Sequence, residues 1–166
     1  MPILLRPGDT ADFDAAVSLF ERSNLARRSG VWPNRLASVA RCRESVSKPD
    51  SWLLVAEEGP VMVGMASARP MRDTDGAGPV VPGGCFLSYL YVVPERWGQG
   101  IGGRILDAVL ADAERRSYSR IRLWTHKADL RSHRLYRSRA FSPTGRVAAD
   151  EGEWERAIPR ESRVGR

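Results

Sequence analysis

LYVVPERWGQGIGGRIL, residues 90–106, places Gly98, Gly100, Gly102 and Gly103 within six positions, after an apolar run and before a stretch with helical spacing. CFLSYLYVV (85–93) reads as a strand, and Ile101, Ile105, Leu106, Val109, Leu110 and Ala113 recur at helical spacing to about Ser117. Backbone this bare at a strand-to-helix junction exposes several N–H groups at a helix N-terminus. Unsatisfied donors and the helix dipole there favour an anion, and a phosphate is the natural guest. The plainer use of glycine is a sharp turn with close helix–sheet packing, which explains one glycine more easily than four.

Two familiar phosphate motifs compete for these residues. A nucleoside-triphosphate P-loop needs Gly-Lys-Ser/Thr where Gly103-Arg104-Ile105 stands. Gly98, Gly100 and Gly103 do satisfy G-x-G-x-x-G, the dinucleotide fingerprint, but that turn follows the first strand of a parallel βαβ unit. Here the strand follows a hairpin, Pro94 interrupts the junction, and Trp124-Thr125-His126 occupies the place of the expected acidic residue.

Outward from this segment the chain reads as mixed α/β in the order β-α-α-β-β-β-α-β-α-β-β. ILLR (3–6) is a first strand, and Asp9 or Thr10 caps a helix with an apolar stripe of Phe13, Val17, Leu19 and Phe20. A second helix is expected from Asn34 to about Ser47, after the Trp32-Pro33 break. SWLLVAEE and VMVGMASARP flank Gly59-Pro60 as a hairpin, and the Gly- and Pro-dense residues 72–84 read as a mobile loop. RIRLWTH is a strand, DLRSHRLYRSR a helix opened by Asp129, and AFSPTGRV and EWERAIP two weaker strands. The expectation is one domain over 1–166, a mixed and mostly antiparallel sheet of six to seven strands flanked by about four helices.

With 166 residues the chain suits one domain with a real core. No apolar run approaches the roughly 20 residues of a membrane span, and the N-terminus lacks the pattern of a secretory signal, so a cytoplasmic protein without membrane partners is expected. The net charge of +6 attracts anions of any kind, but the arginines are scattered and lack the clustered stripe and stacking aromatics of a nucleic-acid module. Cys42 and Cys85 are the only cysteines, which suits neither a disulfide framework nor a zinc site; both read as small buried residues, and no metal is expected.

LYVVPERWGQGIGGRIL resembles the acyl-CoA-binding segment of the GNAT superfamily of N-acetyltransferases. Downstream, IRLWTHKADLRSHRLYRSRAF looks like that superfamily's second signature, and together the two span residues 84–141. The resemblance implies an acetyl-CoA-dependent N-acetyltransferase acting by direct transfer on a primary amine, of a small molecule such as an amino acid, polyamine or antibiotic. A protein N-terminus or lysine is the variant acceptor, and a non-catalytic acyl-CoA sensor the reading from another class. Dimers are common in that fold.

Carried over by position, the resemblance gives the cofactor pyrophosphate to the backbone of Gly98, Gln99, Gly100, Ile101, Gly102 and Gly103. Leu90, Tyr91 and Val92 pair with the pantetheine arm, and a backbone N–H near Val92 polarises the thioester carbonyl. Asp129 stands where the family has Asn, as a cofactor contact or a plain helix cap, Trp97 where Arg or Gln is frequent, and Ala140 where Gly is usual. Tyr136 matches the general acid: a phenol with pKa about 10 is protonated at neutral pH and donates to a departing thiolate. An alkylamine near pKa 10.4 must lose a proton before attack, and His126 at a strand end is the first candidate base. Ser88 and Tyr89 could position a water, Glu57 or Glu58 could reach the site from the hairpin, and His133, four residues after Asp129, reads as a solvated or capping residue, while Asn24, Arg27, Arg28, Trp32, Asp73 and Asp75 are expected to flank the amine.

Overall fold

The computed structural model describes residues 1–28 and 39–159. In chain order the strands are β1 (Ile3–Pro7), β2 (Trp52–Glu58), β3 (Val61–Arg72), β4 (Val80–Val92), β5 (Arg120–His126), β6 (Ser142–Ala148) and β7 (Glu151–Ala157). The helices are α1 (Phe13–Arg28), α2 (Val39–Val46), α3 (Ile101–Arg115) and α4 (Leu130–Ser138), with 3-10 turns at Thr10–Asp12, Thr74–Gly76 and Pro94–Arg96. The seven strands form one sheet in the order β1-β2-β3-β4-β5-β7-β6, antiparallel everywhere except between β4 and β5. This is the expected architecture.

Local chemistry starts each element. The Asp9 carboxylate accepts from Ala11 N–H at 2.9 Å and Asp12 accepts from Asp9 N–H at 2.9 Å, a reciprocal cap that opens the turn into α1. The apolar stripe of α1 buries Ala16, Val17, Leu19 and Phe20. The Phe20 ring meets Tyr89 and Tyr91 edge-on at 5.2 and 5.0 Å, so α1 lies on the face of β4 that carries its tyrosines. Val92 points to the opposite face, toward Gly102 of α3. There Ile105 presses on Gly64 of β3, where an added Cβ would stand 2.5 Å from Ile105 Cδ1. The core between these layers is aliphatic, with Met65, Leu106, Ile121 and Leu123 fully buried.

Two expectations of element length change. Residues 72–84 are not one long loop: β4 begins at Val80 and pairs with Arg72 of β3, leaving only the short turn around Thr74–Gly76. Pro82 is compatible with a strand there because β5 joins β4 only from Gly84 onward, so that flank of β4 is an edge with no ladder bond to lose. The second helix is α2 over Val39–Val46, and its expected beginning at Asn34 lies outside the described residues. Among the described residues no helix is long and apolar enough to cross a membrane.

Candidate active site

β4 and β5 run parallel but pair only where Gly84–Phe86 meets Arg120–Arg122. Beyond that point β4 stays with β3 while β5 stays with β7 through His126, and a wedge opens between them. Val93 N–H bonds to Val63 C=O at 2.9 Å. Antiparallel ladders alternate, so the polar groups of Val92 and, two residues back, Leu90 turn away from β3 toward the wedge. Trp97 Nε1–H donates to Val92 C=O at 2.7 Å. The wedge is thereby left with Val92 N–H and both polar groups of Leu90.

The glycine turn closes one end of the wedge. Gly98 and Gly100 have φ of +76° and +77°, and a Cβ on either would meet no heavy atom within 4 Å. Left-handed backbone, not crowding, demands glycine at these two positions. The first helical bond of α3 runs from Arg104 N–H to Gly100 C=O at 3.2 Å, so the N–H groups of Ile101, Gly102 and Gly103 have no partner within the helix. No acidic residue stands in that first turn. The two later glycines differ: a Cβ on Gly102 would only touch Leu135 at 3.6 Å, whereas one on Gly103 would strike the Arg139 guanidinium at 2.5 Å.

These donors border a cleft of about 200 Å³ lined also by Leu90, Tyr91, Val92, Ile101, Ser132, Leu135 and Tyr136. The structure thus brings together most of the residues expected to hold a cofactor. Gln99 is exposed and outside the lining. Tyr136 sits on α4, buried, its ring 5.6 Å from Phe141 and 6.4 Å from Trp154. Burial raises its phenol pKa above the ordinary value; Arg27 opposes this, while Tyr91 and Asp129 add to it. The hydroxyl therefore stays protonated through neutral pH.

Asp129 does not line the cleft. Its carboxylate accepts from Ser132 N–H at 3.2 Å and Ser132 Oγ–H at 2.6 Å, capping α4, and forms an ion pair with Arg27. Arg27, expected to flank the amine, lines this cleft with its guanidinium 5.1 Å from the centre of the Tyr91 ring. Burial alone would lift the Asp129 pKa, but Arg27 and the two Ser132 bonds outweigh it and hold the group below the carboxylate range. Burial likewise opposes the Arg27 charge, and Tyr91 and Asp129 more than restore it.

Because the Asp129 pKa is lower in the folded state, its stabilisation is full above the unfolded carboxyl range near pH 4 and is lost as pH falls through the folded value. Asp129→Asn keeps the cap but leaves Arg27 without a counter-charge. We expect it to cost about 2 kcal/mol at neutral pH, a drop of roughly 4–8 °C in Tm. The difference from wild type should shrink as pH is taken below 4, read by thermal melts across pH.

Arg131, Arg96 and Trp97 also line the cleft. Arg96 is held by Glu58 through two bonds of 2.7 and 2.9 Å. Arg131 lies 4.1 Å above the Trp97 ring and has no ion pair among the described residues. Sequence reading passed over Arg131. A cation in the first turn of a helix opposes the helix dipole, and that misplacement was the available signal.

Other expected residues fall elsewhere. His126 Nδ1 accepts from Ala128 N–H at 3.1 Å and its carbonyl takes bonds from Asp129 N–H and His133 Nε2, both at 3.0 Å. With that lone pair used and Nε2 buried, it lines neither the cleft nor the cavities on the α1 side of the sheet. His133 packs 5.0 Å from Trp154. Glu57 binds Arg6 at 2.5 Å on the β1 edge.

Ser88 and Tyr89 line a cavity of about 410 Å³ beside α2, and Tyr91 borders both this cavity and the cleft. Buried Asn24 accepts from the Tyr91 hydroxyl at 3.5 Å. Asp73 caps the turn after β3 by accepting from Thr74 N–H at 2.8 Å. Trp32 and the side chains of Arg28 and Asp75 lie outside the described residues. Both cysteines are buried and free, with burial pushing each thiol up to about 12, and Cys85 pairs with Ile121 at the closed end of the wedge. Among the described residues no cluster of His, Cys, Asp or Glu could hold a metal ion.

A family model described as acetyltransferase (GNAT) family matches residues 16–141. No curated protein matches the sequence. Among solved structures, the PaiA N-acetyltransferase of Thermoplasma acidophilum in complex with coenzyme A superposes with a TM-score of 0.75 at 16% identity, over 95% of this chain and 99% of that one. The ribosomal-protein-S18-alanine N-acetyltransferase of Escherichia coli gives 0.74 at 15% identity, over 99% of each chain. YncA, a putative acetyltransferase of Salmonella typhimurium with its cofactor acetyl-CoA, gives 0.72 at 22% identity, over 98% of this chain and 97% of that one.

Proposed function

The chain belongs to the acetyltransferase (GNAT) family, and from that premise we propose that the whole chain is one cytoplasmic domain moving an acetyl group from acetyl-CoA to a primary amine of a small molecule, by direct transfer. The observation that carries this reading is the wedge between β4 and β5, opening beside three unpartnered helix N–H groups with Tyr136 on its wall.

The residues present fit the cofactor. Two phosphates need several converging donors and no side chain in their way, which matches Ile101, Gly102 and Gly103 N–H behind the open left-handed turn. Arg131 adds an unpaired positive charge. An amide-bearing arm fits the outward-facing groups of Leu90 and Val92 as an added strand. When bound, acetyl-CoA supplies an acyl carbon whose bond to sulfur breaks as the amine nitrogen bonds to it.

The chain's own residues then do three things. Val92 N–H donates to the oxygen on which charge develops. Tyr136 Oη–H gives its proton to the leaving sulfur, and burial keeps that proton in place at neutral pH until charge develops there. Tyr91, bordering both the cleft and the cavity beyond, marks where the amine approaches.

Isothermal titration of acetyl-CoA, followed by a thiol-release assay over a panel of amines, tests the reading. Binding with thiol release is expected. Binding without release over amines and peptides would leave a non-catalytic sensor, and no binding would end the transferase reading. Arg131→Gln should raise the Kd for acetyl-CoA about tenfold, an exposed cation being worth less than a buried one. The loss should fade with added salt.

A further inference from the structure

Arg69 of β3 is a cation that the cofactor cleft does not use. Two cavities of about 410 and 650 Å³ lie along the sheet, and both are lined by Arg69, Phe86, Trp124 and Glu151. The larger holds Arg72, Arg122 and Arg146 as well, and each is already paired: Arg72 with Asp50 at 3.2 Å, Arg122 with Glu155, and Arg146 with Glu153 at 3.0 Å. Arg69 has no ion pair among the described residues. Its guanidinium lies 4.7 Å from the centre of the Phe86 ring, and its nearest acceptor is Pro70 C=O at 3.5 Å. Burial lowers its pKa from the ordinary value, and Asp50, which opposes this, is the acid already bound to Arg72. An arginine cannot shed its proton to escape such a site.

Two further features mark the smaller cavity as a place for a polar guest. The register of β3 and β4 slips at Ser88, where Tyr89 pairs with Ser67 and Leu87 with Ala68. A bulge of this kind re-aims a side chain, and here the Ser88 hydroxyl is buried without a hydrogen-bond partner among the described residues. Glu151, at the start of β7, is a half-buried acid with no ion pair among the described residues. Arg69 and Glu151 therefore line one cavity, between the Phe86 and Trp124 rings, with Arg41, Glu44 and Lys48 on its α2 side.

We propose that the acceptor is an amine that also carries a carboxylate, of the α-amino-acid type, its carboxylate held by the Arg69 guanidinium and its amino group placed on the Glu151 side of the cavity. This rests on the acetyltransferase reading and narrows it. A guanidinium matches a carboxylate with two parallel N–H···O bonds, and one seated on an aromatic ring keeps its N–H edge free to make them. A polyamine would place further cations against Arg69, Arg41 and Lys48.

Thiol release with each of the common amino acids, set beside its amide and an aminoalkyl phosphate, tests this in the full chain, with acetyl-CoA binding measured separately. At least one amino acid should exceed its amide in kcat/KM by tenfold or more. Arg69→Gln should bring that ratio below about threefold through KM, and Arg69→Lys should restore part of it, with the Kd for acetyl-CoA unchanged in both. Amides, simple amines, aminoalkyl phosphates or peptides used as well as or better than amino acids would overturn the proposal while leaving the transferase standing. Failure to bind acetyl-CoA at all would remove the transferase reading and this one with it.

Discussion

Replacing Gly100 with valine is expected to weaken acetyl-CoA binding at least 100-fold while leaving the protein folded. Gly100 has a φ of +77°, and nothing lies within 4 Å of where a Cβ would stand. The protein therefore has room for the side chain. The cost is conformational, about 1–2 kcal/mol for an L-residue in the left-handed region and more for a branched one. The chain can escape that strain only by rotating the peptides flanking Gly100, which carry the first donors of α3. Each charge-assisted bond to a phosphate is worth about 1.5–3 kcal/mol, so misdirecting two of them gives 100-fold or more. Titration calorimetry reads the Kd, and a Tm within a few degrees of wild type shows the fold intact. Gly102→Ala is the control: it sits in helical backbone with only ordinary contact to Leu135 at 3.6 Å. Equal losses from both variants would show that the left-handed turn is not what aims the donors.

That difference among the glycines marks the limit of what the sequence makes legible. The order of elements could be read because apolar periodicity and Gly/Pro punctuation are local signals: Phe13, Val17 and Phe20 on one helix face, Gly59-Pro60 between two strands. The glycine turn was legible as bare backbone at a helix start, but which glycines the left-handed backbone demands depends on φ, and Gly98 and Gly100 look no different in sequence from Gly102. The wedge was invisible, since CFLSYLYVV and RIRLWTH both read as uninterrupted strands and nothing local says that their pairing stops at Phe86 and Arg122. Partners distant in the chain are hidden for the same reason. Arg27 meets Asp129 across 102 positions of chain, and with it lies against the helix opened by Asp129. A local contact can be hidden too: His126 Nδ1 accepts from Ala128 N–H, two residues on, which the strand pattern of RIRLWTH does not show. Arg69, after the small residues of GMASARP, gave no sign that its neighbours in space would leave it without an acid.

Tyr136→Phe is expected to lower kcat by at least 100-fold with little change in the Kd for acetyl-CoA or in Tm. The hydroxyl forms no hydrogen bond with the described residues, so its removal orphans no buried group, and the ring keeps its packing against Phe141 and Trp154. Stability should therefore barely move. Chemistry should suffer, because a positioned general acid contributes about 10²–10⁴-fold and the departing sulfur would otherwise leave as an unprotonated thiolate in a cleft screened from water. The pH profile adds an independent check. With the phenol pKa raised by burial, Tyr136 keeps its proton at every pH below its ordinary range near 10, so loss of the general acid cannot produce a fall in wild-type kcat between pH 7 and 9. A rise over that range would instead report deprotonation of the amine, and it should persist in Tyr136→Phe at the lower rate. If the variant keeps more than a tenth of wild-type kcat, the proton reaches the sulfur from elsewhere, and the buried tyrosine is a packing residue of α4.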